Sequence, residues 1–294
     1  VNRLAALLGS GRPVLFDGGM GTLLQDSGLE DGAPGELWNL ENQDAVRAAH
    51  AAYAESGAQI LTTNTFGGTR PRLDMHGLGD RLAEVNRNAA RIARSVADEH
   101  GLLVAGDLGP TGELLAPLGA MTPEEAQALF AEQLAALVEG GIDLVLVETL
   151  SDLGEADAAL AAARAVAPDL PVVVTMSFDT NLRTMMGVRP ADAVAHLAAA
   201  GADAVGANCG RGPSEMEVIA GEMAGARTGD LLLVAQSNAG LPQVVGDHFE
   251  YDATPDDLAA HAARLAELGI DLVGGCCGST PAHIAAIGAT LTPA

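Results

Sequence analysis

One junction recurs four times along this chain of 294 residues, and it restricts the fold more than any other feature. A stretch with helical periodicity ends in glycine, followed by Ala or Ile, then Gln or Asp, then an apolar run. The copies are Gly57-Ala58-Gln59, Gly141-Ile142-Asp143, Gly201-Ala202-Asp203 and Gly269-Ile270-Asp271. Glycine suits the left-handed position just past a helix C-terminus. The Val-, Leu- and Ile-rich run behind it suits a parallel strand buried on both faces. With the other apolar runs, the pattern predicts eight strands near 13–17, 59–64, 102–107, 143–148, 171–177, 203–208, 231–237 and 271–276. Thr122-Pro123-Glu124-Glu125 and Thr254-Pro255-Asp256-Asp257 read as N-caps with proline at the first helical position. Alternating β/α units in this number predict an α/β fold, a single (β/α)8 TIM barrel filling 1–294 as one domain. A doubly wound open sheet is the rival. Polar stretches at 26–40, 109–121 and 178–190 read as long loops after strands, where a barrel keeps its active site.

Composition narrows the chemistry. All 15 basic residues are arginine, and the absence of lysine removes Schiff-base and pyridoxal phosphate catalysis along with the P-loop. A net charge of −24 opposes nucleic acid and anionic lipid as partners. No apolar run approaches the ~20 residues of a membrane span, and no basic and apolar leader opens the sequence. The expectation is a cytoplasmic protein without nucleic-acid or membrane partners.

The three cysteines all fall at predicted strand C-termini. Cys209 closes Gly206-Ala207-Asn208-Cys209-Gly210, and Cys276 and Cys277 stand in Gly274-Gly275-Cys276-Cys277-Gly278. The strands carrying them are the sixth and eighth, so in a barrel the thiols can meet. Three thiolates suit zinc and leave one position open for a substrate. Other readings are buried free cysteines acting as small hydrophobes, a vicinal-dithiol redox pair, and a closed structural zinc site. The last needs a fourth strong ligand, and the nearest histidines, His248 and His283, read as loop or helix residues. His50, His196 and His261 lie in helical stretches and read as surface or interface residues. Asp17, Asn64, Asp107 and Glu148 end the first four strands, and Asn238 follows the seventh. Asp17 and Glu148 are either solvated strand ends or, buried at the mouth, a site for a cation such as a substrate ammonium.

Taken together, Asp17 to Thr22, Thr63-Asn64-Thr65-Phe66, Gly106 to Gly112, Glu148-Thr149, Asn208-Cys209-Gly210 and Gly274 to Gly278 resemble the homocysteine S-methyltransferase family, nearly end to end and in order. The resemblance implies a zinc barrel that methylates homocysteine to methionine. It implies Cys209, Cys276 and Cys277 as Zn2+ ligands, with Asn238 holding the fourth position until substrate displaces it. Asp17 and Glu148 would hold the homocysteine ammonium, backbone near Gly18 and Gly19 its carboxylate, and Asn64 would line the substrate site. The donor implied is methylcobalamin on a separate corrinoid carrier protein, because animal-type betaine enzymes place tyrosines where this chain has Gly67 and Thr149. Betaine, S-methylmethionine, another small thiol acceptor, and a non-catalytic thiol- or zinc-binding subunit are the alternatives. Trp38 reads equally as a wall of a betaine cage and as a loop anchor.

Overall fold

The structure, a computed structural model, describes residues 8–9, 11–30, 32–245 and 248–291. The ends of the span expected to form one domain lie outside the described residues. Eight parallel strands make the main sheet: β1 Val14–Leu15, β2 Ile60–Thr62, β3 Leu103–Leu108, β4 Leu144–Leu150, β5 Val172–Met176, β6 Ala204–Cys209, β7 Leu232–Ser237 and β10 Leu272–Gly275. Their order, β1-β10-β7-β6-β5-β4-β3-β2, follows the sequence around a ring. A parallel bridge from Phe16 to Ile60 joins β1 to β2. The strands therefore form a (β/α)8 barrel, and the doubly wound sheet is ruled out by the sequential order.

The recurrent junction has a physical role at the base of the barrel. Gly57, Gly141, Gly201 and Gly269 are all left-handed, with φ of 91°, 98°, 93° and 83°. The residue two places on then pairs with the preceding barrel strand in both directions. Gln59 N–H donates to the Leu15 carbonyl, and its Oε1 accepts the Leu15 N–H. Asp143 does the same with Val104, Asp203 with Val172 and Asp271 with Leu233. The four junctions thus precede the second, fourth, sixth and eighth barrel strands and tie each to the first, third, fifth and seventh. Arg94, Arg164 and Arg227 pair with the three aspartates. Each side chain satisfies a strand N–H that the ladder leaves without a carbonyl.

Alternation along the strands divides the core into two layers. Leu103, Ala105, Leu144, Leu146, Val173 and Leu272 point into the barrel. Val104, Val145, Val147, Val172 and Val174 point outward against the helices. The capping boxes form as read: Thr122 with Glu125 and Thr254 with Asp257.

Several expectations need correction. The stretch 26–40 does not follow β1 directly, because the apolar spacing of Met20, Leu23 and Leu24 folds Met20–Asp26 into a helix first. The stretch itself contains a short 3-10 turn, Gly35–Leu37, and the start of the helix Trp38–Glu41. A hairpin of β8 Gln243–Val245 and β9 His248–Glu250 follows β7, so His248 sits in a strand. His50 and His261 are buried rather than on the surface. His50 shares its helix face with Val46, Ala49 and Tyr53, and burial holds it neutral, down to about 4. His261 meets Glu217 at 2.9 Å. Only His196 of the three is exposed, paired with Asp157.

Candidate metal and substrate site

Strand ends bring the chemistry together. Cys209 is the last residue of β6, while Cys276 and Cys277 follow β10, and β7 lies between those strands. The three sulfurs lie within 4.8 Å of one another, with Cys276 and Cys277 Sγ 4.0 Å apart. Four tetrahedral bonds of ~2.3 Å to zinc would separate sulfurs by roughly 3.8 Å, so the spacing fits one ion. The charge state points the same way. Thiol donors from Cys276 and Cys277 push Cys209 down to about 3, while Cys277 is pushed up to about 12 and Cys276 well above its ordinary value. Three buried sulfurs this close cannot all ionise unaided, so full deprotonation requires a bound cation. Asn238, buried after β7, directs Nδ2 at Cys209 Sγ (3.5 Å) and at the Gly210 carbonyl (2.8 Å). Its Oδ1 is buried without a partner, as a vacant metal or substrate donor would be.

Beside the sulfurs, carboxylates line a cavity of about 460 Å3, within the range of small-molecule sites. Asp17, one residue past the β1–β2 bridge, accepts the Thr62 N–H and hydroxyl at 2.7 Å each. Burial raises it to about 7 against those two bonds. Burial, the Cys209 charge and Asp17 raise Glu148 to about 8. Asp107 is raised by burial and by Glu148, Glu36 and Asp17, and its Oδ1 is buried without a partner. Glu36 comes from the 3-10 turn Gly35–Leu37, accepting the Gly67 N–H at 2.5 Å. Several buried carboxyls sharing one pocket call for protons or for a bound cation.

Glu148 reaches the pocket through an irregularity. The β4–β5 register shifts between Val147 and Leu150, and Thr149 has φ +60°. Cys209 has φ +62°. Left-handed non-glycine residues each cost about 1–3 kcal/mol, and both stand at this site.

The expected glycines line the cavity, and close packing explains them. A Cβ on Gly19 would lie 2.7 Å from the Cys276 carbonyl, and one on Gly18 2.7 Å from the Ser279 carbonyl. The Gly19 N–H donates to the Ser279 carbonyl at 3.0 Å. Asn64 is also in the wall, but its Nδ2 braces the loop through Gly35 O and Asn39 Oδ1. Trp38 packs against the cluster of Leu24, Leu29, Val46, Ala49 and Ile92 and lies outside the lining, a position that suits an anchor. Phe66 is the aromatic residue of the lining, Phe178 is buried in the core, and Tyr251 packs over Gly278 with its hydroxyl toward Cys277.

Sequence reading missed Glu36, Thr62 and the side chain of Asn208. Glu36 lies in a single short 3-10 turn without periodicity, so no pattern announces it. Asn208 adjoins Cys209 in a motif and could have been singled out.

Comparison with known proteins bears on the family and the fold. The sequence profile described as homocysteine S-methyltransferase matches residues 14–291. Two curated relatives are named methionine synthase: one from Mycobacterium leprae, 34% identical over 95% of this chain, and one from Mycobacterium tuberculosis, 35% identical over 96%. The chain spans about a quarter of their length, 24% and 25%. The metallated homocysteine methyltransferase MmuM from Escherichia coli superposes with a TM-score of 0.82 at 28% identity, covering 98% of this chain and 99% of that one. Its oxidised form gives a TM-score of 0.79 at 26% identity, covering 98% and 99%. On a profile match through almost the whole barrel and relatives above 30% identity, the chain belongs to the homocysteine S-methyltransferase family.

Proposed function

We propose that this chain, acting over 1–294 as one homocysteine-binding domain, transfers a methyl group to the sulfur of homocysteine and yields methionine. The observation that carries the reading is the meeting of three cysteine sulfurs with the buried carboxylates Asp17 and Glu148 in one small cavity. Cys209, Cys276 and Cys277 hold Zn2+, with Asn238 beside them as the group that yields to substrate. Bound there, zinc acts as a Lewis acid that keeps the substrate sulfur deprotonated at neutral pH.

The chain's own residues do the rest. Glu148 and Asp17 accept the ammonium of homocysteine, and its positive charge brings both carboxyls down into their ionised forms. Backbone at Gly18 and the start of the helix Met20–Asp26 receives the carboxylate. With both ends of the amino acid fixed, its sulfur lies against the cysteine cluster and faces the open mouth, oriented for in-line attack.

Methylcobalamin on a separate corrinoid carrier is the donor we favour. Exposed Met75, Leu114, Leu118, Met185 and Leu241 stand on segments that follow strands β2, β3, β5 and β7. Exposed apolar side chains on segments at the strand C-terminal end of the barrel suit contact with a macromolecular donor. One aromatic in the cavity lining offers no cage for betaine's quaternary ammonium. A small onium donor, betaine or S-methylmethionine, is the second reading, supported by the surplus of carboxylates. No helix among the described residues is long and apolar enough to cross a membrane.

The test is zinc-loaded protein with homocysteine and, in parallel, methylcobalamin, betaine and S-methylmethionine, read as methionine formed. Transfer from methylcobalamin above the other two is expected. Turnover that survives removal of zinc by a chelator overturns the metal role. Homocysteine binding without methionine from any donor replaces the enzyme reading with that of a binding subunit.

A further inference from the structure

Asn208 is fully enclosed, 1% exposed, and every hydrogen-bonding position of its amide is used. Oδ1 accepts the Thr149 backbone N–H at 2.8 Å and the Thr175 hydroxyl at 2.8 Å. Nδ2 donates to Glu148 Oε2 at 3.1 Å and to Thr149 Oγ1 at 2.6 Å, and lies 3.9 Å from Cys276 Sγ. The orientation of the amide is unambiguous, because a backbone N–H can only donate and so fixes Oδ1. Nδ2 must then face the carboxylate.

Position gives these bonds meaning. The β4 strand shifts register between Val147 and Leu150, and Thr149 is left-handed there. A bulge re-aims side chains and leaves a ladder N–H unpaired. Asn208, reaching across from β6 past β5, supplies the missing acceptor and at the same time binds the carboxylate that the bulge presents. The next residue along β6 is Cys209.

We propose that Asn208 is the positioning residue of the site: one arm of its amide closes the β4 bulge, and the other holds Glu148 in the orientation that receives the substrate ammonium. It touches no reacting atom and acts through Glu148. The inference deepens the homocysteine reading and rests on it for the role of Glu148, whereas the clamp on Thr149 stands apart from any substrate.

Asn208→Asp separates the two arms. One carboxylate oxygen still accepts the Thr149 N–H and the Thr175 hydroxyl, and the Thr149 hydroxyl can turn to donate to the other. The contact with Glu148 becomes repulsive, as does the weaker one with Cys276 Sγ at 3.9 Å, so zinc content is read beside binding. Asn208→Ala removes both arms. The measurements are zinc content, the homocysteine dissociation constant of the zinc-loaded full chain by calorimetry, and amide exchange at Thr149 by NMR.

For Asn208→Asp we expect zinc retained, Thr149 protected as in the wild type, and homocysteine binding at least about tenfold weaker, the worth of a hydrogen bond to a charged group. Asn208→Ala should speed Thr149 exchange while the amides of Val145 and Leu146 stay slow. Glu148→Gln should weaken binding too, and adding Asn208→Asp to it should cause no further loss, because both act on one contact. Wild-type affinity in Asn208→Asp, or losses that add in the double variant, overturns the proposal. If the aspartate variant does not fold, Asn208→Ser, too short for either arm, is read by the same binding and exchange measurements. A wild-type protein that binds no homocysteine defeats the functional reading instead. The clamp then stands or falls on Thr149, and exchange in Asn208→Ala as slow as in the wild type refutes it.

Discussion

Replacing Asp17 by Asn separates what this carboxylate does for binding from what it costs the fold. Asp17 is 1% exposed, and Thr62 supplies both of its hydrogen bonds. Burial carries it from 3.8 to about 7 although those bonds oppose the change. In the unfolded chain an aspartate titrates near ~3.9. A carboxyl whose folded value is raised binds its proton more tightly in the native state. Its contribution to stability is therefore fully present below about pH 4, declines as pH climbs from about 4 to about 7, and stays lost above. The separation amounts to about 4 kcal/mol as an upper figure. Asparagine preserves the contacts: its Oδ1 accepts the Thr62 N–H, and the Thr62 hydroxyl rotates to accept from its Nδ2. We expect metal-free Asp17→Asn to exceed the wild type in stability by about 2–4 kcal/mol at pH 8 and to converge with it only below about pH 4. Urea unfolding at pH 4, 6.5 and 8 measures the difference, which also carries the relief of Glu148 and Asp107 from the Asp17 charge. The same variant should bind homocysteine poorly, since a neutral amide does not balance an ammonium. Equal stabilities at pH 8, or a difference that does not vary with pH, refute the reasoning.

Three further outcomes are expected. Purified protein should hold about one zinc per chain, and alanine at Cys209, Cys276 or Cys277 should remove most of it by elemental analysis; full retention in Cys277→Ala removes that residue from the ligand set. Glu148→Ala should raise the homocysteine KM roughly tenfold or more with zinc still bound, from the loss of a charge-assisted bond; an unchanged KM assigns Glu148 to structure alone. Trp38→Ala should lower stability by less than the ~3–5 kcal/mol of a fully buried ring and leave the donor KM unchanged, because the half-buried Trp38 packs against the hydrophobic cluster around Leu24 and lies outside the cavity lining; a collapse of betaine turnover would place it in the donor pocket.

What the amino-acid order determined here is everything carried by local pattern. The four glycine junctions, the doubly buried strands and the Thr-Pro caps each reflect constraints within a few residues of one another, so the barrel and the strand ends bearing Asp17, Glu148, Cys209, Cys276 and Cys277 were legible. So was the choice of Gly67 and Thr149 where a betaine enzyme of animal type has tyrosine. Burial of the helix histidines was not, because which side of an amphipathic helix meets the barrel depends on packing against strands far away in sequence. His50 and His261 were misread for that reason. Glu36 joins the pocket only because a loop folds back over Gly67. Asn208 binds Thr149, Thr175 and Glu148 across 33 to 60 positions of chain. The Gln59, Asp143, Asp203 and Asp271 side chains were visible as a repeat, yet their purpose was not. Only closure of the barrel sets each beside an N–H near the start of the preceding strand, and a hydrogen bond between strands exists only once tertiary structure has brought its donor and acceptor together.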